Sequence, residues 1–180
     1  MQGEQQAGHS EQPVTRRILF ICTGNSARSQ MAEAFVRHYA AEQMEAYSAG
    51  LEPKGMNPLT VQVMQEIGLD LSGQHSKGVG EYLGKMHYTY VVTVCSDAEE
   101  RCPSVFLGMG RRLHWYFDDP AAFEGTDEAK LDKFRGVRDE IDRKICAWLE
   151  EEGLSTQCQQ RVEGAGPHRD RHIVQRRHRA

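Results

Sequence analysis

No stretch of this chain holds the roughly twenty consecutive apolar residues that a membrane-spanning helix needs. The opening segment MQGEQQAGHSEQPVT also lacks the apolar run that heads a secreted protein. A soluble, cytoplasmic protein is the expectation. Aromatic residues are scarce at 8%, and apolar residues together reach only 39% of the 180 positions. That is enough for one core if the two ends stay out of it. No segment repeats, which excludes solenoid and propeller architectures. Positive charge is short as well: the formal net charge is −4, and residues 155–180 carry six arginines against Glu163 and Asp170, leaving −8 for the rest. A body so acidic does not suit nucleic acid as a main partner. The tail GAGPHRDRHIVQRRHRA is polar, Arg/His-rich and without aromatics, so a solvated, disordered segment is expected there. An anionic surface, or a metal held by His168 and His172, is the less favoured use of it. The chain thus divides into an N-terminal segment (1–15), one domain (16–153) and a basic tail (154–180).

Cysteine is present but sparse: Cys22, Cys95, Cys102, Cys146 and Cys158. In a cytosolic setting thiols stay reduced, so no structural disulfide framework is expected. Cys146 reads as a small buried hydrophobe.

Strand and helix signals alternate. RRILFIC is a continuous apolar run ending on Cys22, the pattern of a strand buried on both faces. Thr23–Ala27 make a turn, and a helix starting at Arg28 puts Met31, Ala32, Phe35, Val36 and Tyr39 on an inward stripe. EAYSAG (45–50) is a short strand. NPLTVQVMQEIG is a helix capped by Asn57, opened by Pro58 and stopped by Gly68. YTYVVTVC (88–95) and RRLHWYF (111–117) are further strands. A last helix from about Asp127 to Glu152 repeats Leu131, Phe134, Val137, Ile141, Ile145, Trp148 and Leu149 at helical spacing and ends at Gly153. This order predicts an open parallel α/β sheet, whose ligands bind beyond the carboxyl ends of the strands. Cys22 with its loop, Cys95 and Asp118–Asp119 all fall at such ends.

Cys22-Thr-Gly-Asn-Ser-Ala-Arg28 is a C-x5-R loop between a buried strand and a helix N-terminus. Successive backbone N–H groups of Thr23, Gly24, Asn25, Ser26, Ala27, Arg28 and Ser29, together with the helix dipole, suit a tetrahedral oxyanion. Gly24 allows close backbone approach and Asn25 tolerates left-handed geometry. Arg28 offers a bidentate fork. The same positive surroundings favour a Cys22 thiolate of lowered pKa, with Ser29 placed to donate a hydrogen bond to the sulfur.

The stretches ICTGNSARSQMAEAF, SAGLEPKGMNPLTVQVMQEIGLDLS and DDPA resemble the low-molecular-weight protein tyrosine phosphatase family, including its arsenate reductase branch, over roughly Arg17 to Glu150. The resemblance implies a four-stranded parallel sheet flanked by helices. It puts the nucleophile on Cys22, the anion-gripping arginine on Arg28 and the proton-donating carboxyl on Asp119, before Pro120. Asp118 is the solvated neighbour in this reading.

Two more cysteines bear on whether the sulfur hydrolyses or is oxidised. SDAEER reads as a short helix, with Asp97 and Glu100 as a capping pair and Pro103 limiting it. Seven helical residues span roughly 10.5 Å, whereas disulfide-linked Cα atoms lie about 4.4–6.8 Å apart. Cys95 and Cys102 can therefore pair only if the segment unwinds. Their spacing resembles that of the thioredoxin-coupled arsenate reductases, which implies a relay: Cys95 takes the oxidised Cys22, Cys102 takes Cys95, and thioredoxin or another thiol carrier reduces the pair. Ala121 and Ala122 follow Pro120 where phosphatases of the family carry an aromatic residue for the substrate ring. The alternatives for Cys95 and Cys102 are two inert buried thiols, or half a zinc site with His87 and His114, the poorer of the two since C-x6-C is a poor zinc spacing.

The resemblance also implies, for some reductases, a potassium ion held by residues matching Asn25, Glu33, Ser48 and an aspartate. Here that aspartate is Lys77; either its ammonium takes the cation's place beside Glu33, so that potassium activation is not expected, or it points into solvent. No bound cofactor, no metal, no membrane or nucleic-acid partner, and a monomer complete the expectation. The rival readings are a tyrosine or small-molecule phosphatase and a non-enzymatic redox or oxyanion sensor.

Overall fold

The computed structural model describes residues 16–96, 98, 109–154 and 158. The RRILFIC run forms strand β1 (Arg16–Cys22), whose last five residues are all buried. Helix α1 (Arg28–Ala40) carries the chain to β2 (Met44–Gly50) on one side of β1. Helix α2 (Pro58–Gln65) follows, then β3 (Tyr88–Thr93) on the other side of β1, and β4 (Met109–His114) beyond it. All pairs are parallel, in the order β2-β1-β3-β4. Helix α3 (Asp127–Glu151) closes the described body. The architecture is the four-stranded parallel α/β sheet that the alternation of elements predicts.

Local signals explain the helices. The Asn57 side chain accepts from the Leu59 amide at 2.9 Å, with Pro58 in the first turn, and Gly68 beyond the helix takes φ 79°. The Thr126 hydroxyl accepts from the Ala129 amide at 3.2 Å, and Asp127 and Glu128 in the first turn of α3 complement its dipole. Every residue of the two expected apolar stripes, on α1 and on α3, is buried. α3 docks on the sheet through aromatic contacts. Trp148 meets Tyr90 at 5.0 Å and Trp115 at 5.5 Å, and Trp115 meets Phe20 of β1 at 5.9 Å.

Two strand boundaries differ from expectation. β3 stops at Thr93, two residues before Cys95, and β4 covers 109–114 rather than 111–117. Trp115 and Phe117 continue as extended chain with buried side chains while Tyr116 between them points out. Alternation of this kind looks like a strand in sequence even where the ladder has ended. Arg111 and Arg112 are exposed on β4, an edge strand, where charge is tolerated and discourages further pairing.

The C-terminal part corrects a second expectation. Cys146 is only partly buried and is joined to Cys158 by a disulfide, with Cα atoms 5.6 Å apart. The chain reverses at Gly153, φ 69°, so that Leu154 and Cys158 return to the core. A twelve-residue separation hides this pairing in the sequence, because the turn that closes it follows a long helix.

Because β1 connects through α1 to one neighbour and the chain then crosses to the other side, the sheet has its switch point at the carboxyl end of β1. Cys22 lies opposite Gly50, and Ile21 opposite Thr93. The topology thus brings the loop after β1, the chain leaving β3 and the chain leaving β4 to one edge.

Candidate active site

The loop after Cys22 is held from outside by its carbonyls. Those of Cys22, Thr23 and Gly24 accept from the amides of Leu51, Glu52 and Lys54 at 3.1, 2.8 and 3.0 Å. That of Asn25 accepts from Gln30 Nε2 at 3.1 Å, and that of Ser26 from the Asn57 amide and the Thr60 hydroxyl. With these five successive carbonyls engaged, the loop amides are not needed to hold it, and that of Asn25 donates to the sulfur, an arrangement compatible with an anion nest. Gly50 has no room for a side chain: a Cβ there would lie 2.8 Å from the Thr23 carbonyl oxygen and 2.9 Å from the Asn25 nitrogen. Asn25 itself adopts φ 45°, the only positive φ outside glycine among the described residues.

At the floor lies Cys22, 3% exposed. Its Sγ is 2.9 Å from the Ser29 hydroxyl and accepts from the Asn25 amide at 3.0 Å. Burial pushes the thiol pKa up; the Ser29 hydroxyl, the Asn25 amide and Arg28 pull it down, and burial prevails. The direction is opposite to the one expected from the loop's donors alone, because sequence shows the donors and not the desolvation.

Asn25 and Ser29 sit behind the sulfur rather than on the cavity wall. Asn25 Nδ2 donates to the hydroxyls of Ser29 and Ser48, each at 2.9 Å, and its Oδ1 accepts from Gln30 Nε2 and the Lys77 amide, each at 2.9 Å. Ser48 in turn donates to Glu33. Glu33 is buried and ion-paired with Arg37 at 2.6 Å and with Lys77 at 3.5 Å. Neither Lys77 nor Glu33 carries an apolar signature, so only the resemblance pointed to them.

Thr23, Gly24, Ser26, Ala27 and Arg28 line a cavity of about 400 Å³ above the sulfur. Arg28 is itself buried; one nitrogen donates to the Phe117 carbonyl at 3.1 Å and the other lies 3.2 Å from Asp119 Oδ2. Asp119 also accepts from the Ala121 amide at 3.1 Å, capping a short turn at Pro120–Ala122, and it stands half-exposed at the cavity wall. Asp118 turns away to Lys133 at 2.7 Å, whose ammonium holds that carboxyl below the ordinary aspartate range.

Cys95 is buried at the same cavity, its Sγ 3.6 Å from the Thr23 hydroxyl. Cys102 lies outside the described residues, as do Asp97 and residues 99–101 of the expected SDAEER helix. Lys54, Ser96 and Tyr116 also line the cavity and were not anticipated. Tyr116, 60% exposed, is an aromatic residue at this cavity although Ala121 and Ala122 follow Pro120. Sequence spacing from Asp-Pro could not find it. Among the described residues no cluster of His, Cys, Asp and Glu suits a metal ion, and no helix is long and apolar enough to cross a membrane.

The family described as low molecular weight phosphotyrosine protein phosphatase matches residues 17–160. An arsenate reductase of Shouchella clausii is 47% identical over 133 residues, covering 74% of this chain and 94% of its own. An arsenate reductase of Bacillus subtilis is 43% identical over 133 residues, with the same coverage. A solved arsenate reductase in the phosphate binding state superposes with a TM-score of 0.65 at 26% identity, covering 78% of this chain and all of its own. A low molecular weight protein tyrosine phosphatase from T. tengcongensis, 23% identical with a TM-score of 0.58 over 76% of this chain and 99% of its own, shares the fold.

Proposed function

Since the chain belongs to the low molecular weight phosphotyrosine protein phosphatase family, we propose that it is an arsenate reductase of that family, working through three thiols and recycled by thioredoxin or a similar thiol carrier. The observation that carries the reading is the second cysteine at the cavity: Cys95 is buried beside the loop that holds Cys22. Hydrolysis gives such a thiol no work, because water resolves a phosphocysteine.

Arsenate enters with its oxygens on the loop amides and Arg28. The Cys22 sulfur attacks arsenic, and an oxygen leaves as water with a proton from Asp119. Asp119 is favoured over Asp118 because it lines the cavity above the sulfur, whereas Asp118 does not line it and is engaged by Lys133. The Cys95 thiolate then attacks Cys22 Sγ. A Cys22–Cys95 disulfide forms, the Cys22 S–As bond breaks, and its electron pair stays on arsenic, which leaves as arsenite. Cys102 attacks Cys95, Cys22 departs as a thiolate, and the carrier's dithiol reduces Cys95–Cys102. The protein supplies both electrons to arsenic, and the carrier replaces them. The reaction takes place in the cytoplasm, with the protein a monomer and without a bound cofactor.

Arsenate-dependent NADPH oxidation with thioredoxin and thioredoxin reductase tests the proposal. Wild type should turn over repeatedly. Cys95→Ser and Cys102→Ser should stop after at most one turnover while still cleaving p-nitrophenyl phosphate. Undiminished turnover in either variant would remove the relay. Tyr116 at the mouth favours a residual aryl phosphatase activity of the same loop; its loss in Tyr116→Ala, with arsenate reduction retained, would separate the two uses.

A further inference from the structure

Arg28, the cation at the cavity floor, is already paired with the carboxylate of Asp119, 3.2 Å away. A multiply charged inorganic oxyanion therefore meets a floor whose fixed positive charge is partly spent. Lys54 stands at the same cavity and has no carboxylate within ion-pair distance among the described residues.

Its position is built into the backbone. Segment 51–57 runs alongside the loop through four bonds: Leu51 to Cys22, Glu52 to Thr23, Lys54 to Gly24 and Asn57 to Ser26. The Lys54 amide donates to the Gly24 carbonyl at 3.0 Å, and its side-chain stem lies across Gly24. A Cβ placed on Gly24 would meet Lys54 Cδ at 3.4 Å and Cγ at 3.5 Å. Gly55, φ 85°, turns the chain away directly afterwards. The stem thus lies against Gly24 while the residue as a whole stays exposed, so the charged end can remain in water.

We propose that Lys54 is a second cationic ligand of the oxyanion site, reaching over Gly24 to the anion oxygens that face the mouth and so selecting small inorganic dianions. The inference rests on the loop being the oxyanion site of the proposed reductase. An ester presents its organic group at the mouth and one fewer charged oxygen to this ammonium, so an inorganic ion gains more from it. Lysine suits the place because a compact point charge on a flexible stem tolerates ligand geometries that a rigid fork does not.

Calorimetric titration of the reduced protein with inorganic phosphate tests this without turnover. Lys54→Gln should raise the phosphate Kd roughly tenfold, the worth of a hydrogen bond to a charged group, and raise the KM for arsenate in parallel. Lys54→Arg should recover most of the loss. The KM for p-nitrophenyl phosphate should change less. A phosphate Kd in Lys54→Gln within about twofold of wild type would overturn the proposal. A second measurement needs no variant: phosphate should slow acetylation of Lys54 in the wild-type protein, read by peptide mass spectrometry, and leave the exposed Lys85 unaffected. Equal labelling of Lys54 with and without phosphate would also overturn it. The reductase reading fails separately, by a wild type that binds phosphate through Lys54 yet never reduces arsenate.

Discussion

The ammonium of Lys77 lies 3.5 Å from Glu33 Oε2, and both side chains are almost completely buried, at 5% and 1% exposure. Glu33 receives the Ser48 hydroxyl, Ser48 is joined to Asn25, and Asn25 holds both Ser29 and the backbone N–H that touches Cys22. A fixed cation thus stands at the far end of a polar chain that ends on the sulfur. The charge beside Glu33 is supplied by the chain itself. Adding KCl at constant ionic strength should leave the KM for arsenate unchanged; a decrease specific to potassium would refute this. Lys77→Met should destabilise the protein by about 3 kcal/mol, since removing one partner of a buried pair strands the other. Denaturant unfolding reads that loss, and Arg37 on Glu33 limits it.

The Cys22 thiol has its pKa raised by burial and held in check by Ser29. Alkylation at Cys22, followed by peptide mass spectrometry, should therefore accelerate with pH and reach its midpoint above the ordinary thiol value. Ser29→Ala removes a group that lowers the pKa, so the midpoint should move further up. The neutral-pH rate should fall about tenfold, the equivalent of one charge-assisted hydrogen bond. For stability the sign is fixed by the same shift. The native state prefers the neutral thiol, so this group's contribution is complete below the unfolded pKa and is lost as pH rises through the folded one.

Asp119 both faces the cavity and pairs with Arg28. Asp119→Asn should lower kcat for arsenate roughly 10²-fold, at the low end of general acid effects. It also removes a carboxylate that competes with the substrate for Arg28, so KM should fall or stay level. A KM that rises together with a preserved kcat would assign Asp119 to binding instead. Asp118→Asn, which loses only an exposed pair to Lys133, should leave both constants near wild type.

The Cys146–Cys158 bridge ties the chain after Gly153 to the middle of α3's last turns. Closing a loop of this size stabilises by about 3 kcal/mol in the chain-entropy account. Under oxidising conditions Cys158→Ser should lower the unfolding free energy by up to that amount. Under reducing conditions the variant and the wild type should unfold together. Arsenate turnover should be the same in both, because neither sulfur lines the cavity.

Periodicity in the sequence was a good guide to the apolar residues that build the core. The stripes from Met31 to Tyr39 and from Leu131 to Leu149 all face the core, Asn57, Pro58 and Gly68 bound α2, and Gly153 follows α3. It was a poor guide wherever a residue acts against its type. Glu33 and Lys77 are charged and buried because they neutralise each other across 44 positions, a distance no local window spans. Cys158 sits in a polar stretch but is pulled into the core by its disulfide. Tyr116 sits in an apolar run but faces outward because the strand has already ended. The loop from Cys22 to Arg28 was legible because an anion nest needs small residues in a fixed order. Lys54 was not, since its register against Gly24 is set by backbone bonds between segments far apart in sequence.

Those backbone bonds divide the site into two parts that can vary independently. The floor is shaped by carbonyls of residues 22–26 tied largely to amides of residues 51–57, and a carbonyl–amide bond survives a change of side chain. The exposed residues at the cavity, Lys54 and Tyr116 among them, contribute through their side chains. Substitutions at these two positions can therefore retune which anions enter without reshaping the nest that grips them. One scaffold can then serve ions of different size and charge by exchanging two residues at its rim.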